Sequence, residues 1–173
     1  MMYIIPTDTC FWIACPIWSI KEYKKIYTLK RRTLDKPLAI MVEDYEYLKK
    51  HTYINQLQLD FLKRYPSPFT VLLNTKRDFI LDEIPNKKLY KKTAFRIANL
   101  PLQIALLRKI WPIFLTSANL SNTQETYLLK DIPFEKNEEI EIIGTDDLEK
   151  RPASDIFEFV WESAKILYLR KGY

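Results

Sequence analysis

Glycine is the residue that this sequence lacks most clearly, with only Gly144 and Gly172 among 173 residues. Phosphate-binding loops of the Walker type and the dinucleotide-binding fingerprint both need several glycines close together. The sequence therefore excludes both kinds of loop. Any nucleotide site in this chain must be made from side chains and ordinary backbone.

Cysteine and histidine are also scarce, since Cys10, Cys15 and His51 are the whole supply. A structural zinc site needs about four nitrogen or sulfur ligands, so three candidates are too few. We predict that the two cysteines are buried free thiols packed as small apolar side chains. We expect His51 to lie on a solvated helix end, and the sequence offers no Ser-His-Asp or Cys-His nucleophile system.

Long apolar runs are missing too. No segment is long enough to cross a bilayer, and the N-terminus lacks the pattern of a signal peptide. We therefore expect a cytoplasmic protein with no membrane partner. The length suits one domain, taken as residues 1–173, and the hydrophobic fraction of 47% suits a folded core.

What the chain has in excess is positive charge. Lysine and arginine number 27 against 22 acidic residues, which gives a net charge of +5 and a pI near 9.0. Anionic partners such as nucleotides or RNA suit this balance. Lysine-rich surfaces without any such partner are also common, so the charge alone does not decide.

Apolar and amphipathic patterns predict strands alternating with helices. Strands are expected at 2–5, 10–15, 38–42, 69–73, 93–98, 113–115, 140–143, 155–161 and 165–169, the last two forming a hairpin. Helices are expected at 20–30, 44–50, 54–65 and 101–110, and Ser19 with Glu22 has the spacing of a capping box. The alternation predicts one mixed α/β layered domain.

Four polar clusters lie next to predicted strand ends, where α/β proteins usually place ligands. They are Thr7-Asp8-Thr9, Lys30-Arg31-Arg32 with Lys36, Arg96, and Ser117-Ala118-Asn119. Each cluster also has a plain structural explanation. In the same order, these are a turn, a solvated helix C-terminus, an ion pair within the sheet, and an N-cap or loop. Cationic and hydroxyl side chains without a protein nucleophile favour phosphoryl or nucleotidyl transfer, which depends on positioning and charge stabilisation.

Taken in order, these clusters and three further segments resemble the YrdC-like threonylcarbamoyl-AMP synthase family. The matching segments are Pro6-Thr7-Asp8-Thr9, Lys30-Arg31-Arg32 with Lys36-Pro37-Leu38, Pro66-Ser67-Pro68-Phe69-Thr70, Phe95-Arg96-Ile97-Ala98, Thr116-Ser117-Ala118-Asn119, Ser154-Asp155-Ile156 and Leu169-Arg170-Lys171-Gly172. The resemblance covers nearly the whole chain. It departs from the family pattern where Trp12, Ser67 and Asn122 replace glycines.

The resemblance implies a twisted open α/β sheet with a concave basic groove, like that of dihydroxybutanone-phosphate synthase. It implies a nucleotidyltransferase that forms threonylcarbamoyl-AMP and pyrophosphate from L-threonine, bicarbonate and ATP, for the threonylcarbamoyladenosine (t6A) modification of tRNA. Mg²⁺ would be held mainly by the ATP phosphates, with no protein metal site. A separate threonylcarbamoyl transferase would take the product, and tRNA or double-stranded RNA could bind directly.

By the same resemblance, each site residue receives a role. Lys30 and Arg32 would be catalytic; Thr9, Arg96, Ser117 and Ser154 would bind threonine; and Arg32, Lys36, Asn119 and Arg170 would bind ATP. The alternatives are a non-catalytic RNA-binding module of the same fold and a degenerate family member. Retention of the hydroxyl and amide positions favours the enzyme, since simple binding to a phosphate backbone would not need them.

Overall fold

A nine-stranded mixed sheet organises the computed structural model, which describes residues 1–76, 80–110, 112–134 and 137–172. The strands are β1 (Met2–Pro6), β2 (Phe11–Pro16), β3 (Ala39–Val42), β4 (Phe69–Asn74), β5 (Lys92–Ile97), β6 (Ile113–Ser117), β7 (Ile140–Ile142), β8 (Asp155–Phe159) and β9 (Ile166–Arg170). Their order across the sheet is β7-β1-β2-β6-β3-β5-β4-β8-β9. The pairs β1–β7, β3–β5 and β4–β8 are parallel, and the others are antiparallel.

Helices cover both faces of the sheet. They are α1 (Ile20–Lys30), α2 (Tyr45–His51), α3 (Gln56–Arg64) and α4 (Pro101–Ile110), with short 3-10 turns at Lys87–Lys91 and Leu129–Asp131. Helices α1 to α3 pack on the larger apolar cluster, which includes Phe95 and Phe114 of the sheet. Helix α4 packs on a second cluster around Met41 and Leu115. Because successive strand residues point to opposite faces, the two clusters lie on opposite sides of the sheet.

Most of the predicted elements are confirmed. Helix α4 has the predicted limits, and β8 and β9 form the expected antiparallel hairpin, with an irregularity between Ile156 and Phe157. Both cysteines are buried and free, as predicted. His51 does not fit the expectation of a simply solvated side chain, because its ring stacks on Tyr47 at a centroid distance of 4.2 Å.

The prediction of a capping box at the start of α1 is wrong. The Ser19 side chain makes no capping hydrogen bond, and the Glu22 carboxylate accepts a hydrogen bond from the N-terminal ammonium of Met1 at 2.9 Å. A charged donor is a stronger partner for a carboxylate than a backbone amide. A capping box does form at α3, where the side chain of Asn55 and the side chain of Gln58 each accept from the other residue's backbone N–H.

Candidate active site

Lys30 and the segment that follows β6 form the first part of the site. Lys30 is the last residue of α1 and is 1% exposed. Its Nζ donates to the backbone oxygens of Ser117 and Asn119, each at 2.5 Å, and lies 3.4 Å from Asn119 Oδ1. An ammonium has three N–H groups, so these contacts use all of them. Lys30 therefore fixes the Ser117–Asn119 segment against the end of α1.

Asn119 and Ser117 are themselves linked by short polar contacts. Ser117 Oγ donates to Asn119 Oδ1 at 2.6 Å, and Asn119 Nδ2 donates to the backbone oxygen of Thr123 at 2.7 Å. Burial lowers the pKa of Lys30 to about 8, and the nearby charge of Arg32 acts in the same direction. The surrounding carbonyl oxygens favour the charged form, so an ammonium is retained at neutral pH.

Arg32 and Lys36 lie on the loop that follows α1. Arg31 ends the helix in the left-handed conformation, with φ of 50°, and this turns the chain into the loop. Arg32 donates from Nε to the backbone oxygen of Lys36 at 2.8 Å and from Nη2 to that of Pro37 at 3.1 Å. The Lys36 side chain is exposed. Arg32 thus braces its own loop, while Lys36 is available to a ligand.

A buried tyrosine cluster, made of Tyr23, Tyr27, Tyr90 and Asn86, supports this loop from beneath. Tyr23 Oη donates to Asn86 Oδ1 at 2.5 Å and lies 2.8 Å from Tyr90 Oη. Tyr27 Oη donates to the Lys36 backbone oxygen at 3.0 Å, and Tyr90 Oη accepts from the backbone N–H of Leu38 at 3.0 Å. The cluster therefore links α1 and the turn at 86–90 to the loop that carries Lys36.

Arg96 is the most unusual residue of the site. It lies in β5, is 3% exposed, and forms an ion pair through Nη2 with Asp8 Oδ1. Asp8 Oδ2 also accepts from Asn99 Nδ2 at 2.8 Å. Arg96 Nε and Nη1 are buried and have no hydrogen-bond partner among the residues that the structure describes. Burial lowers the pKa of Arg96, and Asp8 opposes that shift.

The two free nitrogens show that Asp8 satisfies Arg96 only in part. A buried donor without an acceptor costs about 1–3 kcal/mol, and such groups are uncommon in folded proteins. The predicted alternative, a structural ion pair, is therefore present but incomplete. Nε and Nη1 are two N–H donors that the Asp8 contact leaves unused.

Thr9 and Trp12 lie next to Arg96. Thr9 Oγ1 is 3.0 Å from Thr7 Oγ1, and Trp12 Nε1 donates to Thr9 Oγ1 at 3.4 Å. The Trp12 ring centroid lies 4.7 Å from Arg96 Cζ. Trp12 is also in register with Ser117 across the β2–β6 pair. Thr9 and Arg96, two of the residues predicted to bind threonine, therefore contact the Trp12 side chain, and Ser117 lies opposite Trp12 on the neighbouring strand.

Ser154 and Arg170 form a further polar group. Arg170 donates from Nε and Nη2 to the Ser154 backbone oxygen at 3.2 and 2.9 Å, and from Nη2 to Ser154 Oγ at 3.2 Å. Ser154 Oγ lies 3.3 Å from Thr70 Oγ1. The charge of Arg170 adds to the lowering of the Arg96 pKa.

A cavity of about 430 Å³ opens beside Arg96. Asp8, Asn99, Lys63 and the loop of Pro66, Ser67 and Pro68 are among the residues that line it. Arg96 and Lys63 give it positive charge, while Asp8 supplies one negative group. The cavity suits a small ligand that carries both an anionic and a cationic group.

Other chemistries find little support in the described residues. Burial raises the pKa of Cys10 to about 12, so its thiol is protonated at neutral pH. In the ranges that the structure covers, no group of three His, Cys, Asp or Glu side chains could hold a metal ion. In the same ranges, no helix has the length and apolar character to cross a membrane.

Comparison with known proteins identifies the family. A profile of the Sua5/YciO/YrdC family, described as "Telomere recombination", matches residues 2–172. The chain belongs to the Sua5/YciO/YrdC family. A Methanocaldococcus jannaschii protein, provisionally named a threonylcarbamoyl-AMP synthase, is 29% identical over 98% of this chain and 78% of its own. The threonylcarbamoyl-AMP synthase of Photobacterium profundum is 29% identical over 67% of this chain and 64% of its own.

Solved structures of this family share the fold. Escherichia coli YciO matches with a TM-score of 0.79 and 19% identity, over 99% of this chain and 82% of that one. P. abyssi Sua5 in complex with L-threonine matches with a TM-score of 0.79 and 23% identity, over 99% of this chain and 50% of that one. This chain therefore spans about half of the Sua5 protein, and the predicted mixed α/β fold is confirmed.

The structure brings most of the predicted site residues into neighbouring groups. Lys30 contacts Ser117 and Asn119, while Arg170 contacts Ser154. Sequence reasoning missed Asp8 as the partner of Arg96, although Asp8 stands in one of the motifs, and it missed Asn99, which donates to Asp8. It also missed the tyrosine cluster, whose members look like ordinary core positions in the sequence.

Proposed function

We propose that this chain forms threonylcarbamoyl-AMP and pyrophosphate from L-threonine, bicarbonate and ATP. The threonine nitrogen would bond to the bicarbonate carbon with loss of water. An oxygen of the resulting carbamate would then attack the α-phosphorus of ATP and break its bond to the β-phosphate. Residues 1–173 would act as one YrdC-like domain, and a separate transferase would carry the threonylcarbamoyl group to tRNA.

One observation carries this proposal: the buried Arg96, whose Nε and Nη1 have no acceptor among the described residues, lines a cavity of about 430 Å³. A guanidinium in this position suits the carboxylate of an amino acid. The relatives named threonylcarbamoyl-AMP synthase and the solved Sua5 complex with L-threonine support the choice of threonine. Thr9, Ser117 and Ser154 would supply hydroxyl groups around the bound substrate.

The ATP side would be formed by the loop after α1 and by the segment after β6. Lys36 is exposed and can approach a phosphate, and Arg32, Asn119 and Arg170 would complete the predicted ATP site. For Lys30 we propose a positioning role, since its N–H groups already bind the Ser117–Asn119 segment. Mg²⁺ bound to the ATP phosphates would neutralise charge during transfer.

The test is the release of pyrophosphate from Mg-ATP by the purified protein. We expect release only when L-threonine and bicarbonate are both supplied, because the carbamate is the group that attacks ATP. Pyrophosphate release that does not depend on threonine would indicate a different nucleotide reaction. No release under any of these conditions would favour a non-catalytic member of the family.

A further inference from the structure

Trp12 connects the separate parts of the threonine site. Its Cα is in register with Ser117 of β6, its Nε1 donates to Thr9 Oγ1 at 3.4 Å, and its ring centroid lies 4.7 Å from Arg96 Cζ. The side chain is half-buried and packs against the apolar cluster that α4 covers. Its position is therefore set by the core on one side and by the polar site on the other.

The Trp12 ring affects Arg96 differently from a carboxylate. An aromatic ring attracts a guanidinium through the face of its π system, so the contact stabilises the charge without using the N–H groups. Asp8 takes only Nη2, and Nε and Nη1 remain without acceptors. A second carboxylate in place of the ring would have occupied those donors.

We propose that Trp12 is a positioning residue for carboxylate recognition. It holds the plane of the Arg96 guanidinium and compensates part of its desolvation, while Nε and Nη1 stay free for the substrate. This inference rests on the proposed function, because it takes L-threonine as the ligand. Trp12 need not touch the reacting atoms.

Calorimetric titration of Trp12→Leu and Trp12→Phe tests this inference. The ligands are L-threonine and L-threoninamide, in which a neutral amide replaces the carboxylate. We expect Trp12→Leu to weaken threonine binding about tenfold and to leave the weaker threoninamide binding unchanged. Trp12→Phe keeps an aromatic face and should restore most of the affinity. Trp18, which is 60% exposed, supplies the matched control Trp18→Leu, which should bind like the wild type.

Tryptophan fluorescence gives a second measurement that does not depend on the folding of Trp12→Leu. Added threonine should change the emission of the wild type and of Trp18→Phe, and should not change that of Trp12→Phe. An equal response in Trp12→Phe would overturn the inference. Equal threonine affinity in the wild type and Trp12→Leu would overturn the inference about Trp12 and leave the proposed function standing. A wild type that binds no threonine would overturn both the inference and the proposed function.

Discussion

The tyrosine cluster and Arg96 are both buried polar groups, yet their hydrogen bonding is opposite. Tyr23 Oη donates to Asn86 Oδ1 at 2.5 Å and can accept from Tyr90 Oη at 2.8 Å, and the cluster ends on backbone groups of the Lys36 loop. Within the part of the chain that the structure describes, Arg96 has one hydrogen-bond partner, and its Nε and Nη1 have none. A satisfied network stabilises a fold, whereas an unsatisfied buried cation needs a further anion. In our proposal, the comparison separates the groups that stabilise the site from the group that binds the substrate.

Lys30 resembles the tyrosine cluster, because its buried donors all have hydrogen-bond partners although it carries a charge. Its ammonium is buried and fully bonded to backbone and amide oxygens. Charge alone therefore does not mark a ligand-binding residue. The count of unused donors distinguishes Lys30 from Arg96.

The largest expected effect is the loss of threonine response in Arg96→Lys. A lysine has no planar group for the Trp12 ring and fewer donors, so we expect threonine-dependent pyrophosphate release to fall about a hundredfold to a thousandfold. ATP binding and the melting temperature should stay near those of the wild type. Arg108, which is exposed and pairs with Glu43, supplies the control Arg108→Lys. A lower melting temperature with an unchanged threonine dependence would show that Arg96 is structural.

The next largest effect is a loss of stability in Lys30→Met. The backbone oxygens of Ser117 and Asn119 would lose their donor, and we expect the free energy of unfolding to fall by about 2–3 kcal/mol. Urea denaturation measures this change. Lys24 lies on the exposed side of the same helix, so Lys24→Met should change the midpoint little. If Lys30→Met were as stable as the wild type but could not bind ATP, Lys30 would be a ligand-binding residue, as we propose for Arg96.

A smaller loss of stability is expected for Tyr23→Phe, since it removes the hydroxyl at the centre of the tyrosine cluster. Asn86 Oδ1 would lose a buried donor, which should cost about 1–2 kcal/mol in urea denaturation. Activity per folded molecule should be retained, because the substrate groups are untouched. Tyr53, which is 69% exposed, supplies the control Tyr53→Phe. Full stability in Tyr23→Phe would show that the cluster does not hold the loop.

The smallest effect is a change in pH dependence for Tyr90→Phe. Burial raises the pKa of Tyr90, so the folded chain keeps this phenol protonated where the unfolded chain loses the proton. The contribution of Tyr90 to the free energy of unfolding is therefore fully present below about pH 10 and is lost as the pH rises further. Between pH 10 and 11, Tyr90→Phe should lose about 1 kcal/mol less of its free energy of unfolding than the wild type. Equal losses would show that Tyr90 ionises freely in the folded chain.

Local patterns in the sequence predicted the elements better than their arrangement. Pro101 pre-sets the backbone angle of a first helical turn, and α4 begins there. The place of β6 between β2 and β3, and the parallel pairing of β7 with β1, depend on contacts between distant segments. Periodicity within one segment does not carry that information.

The same limit applies to the site. An arginine inside an apolar strand had to have a partner, so the importance of Arg96 was predictable. Asp8 as that partner was not, because it lies 88 residues away along the chain. The lysine at the end of α1 was predicted to act in catalysis. Its spacing could not reveal that the side chain turns inward to the Ser117 and Asn119 oxygens.

The most direct test of the account is the stabilisation of the protein by L-threonine alone. At one hundred times its dissociation constant, a ligand adds about 2.7 kcal/mol to the free energy of unfolding. The account predicts that threonine raises the melting temperature of the wild type and of Tyr23→Phe by the same amount, and does not raise that of Arg96→Met. An equal rise in Arg96→Met would contradict it, because threonine would then bind without the two free nitrogens of Arg96.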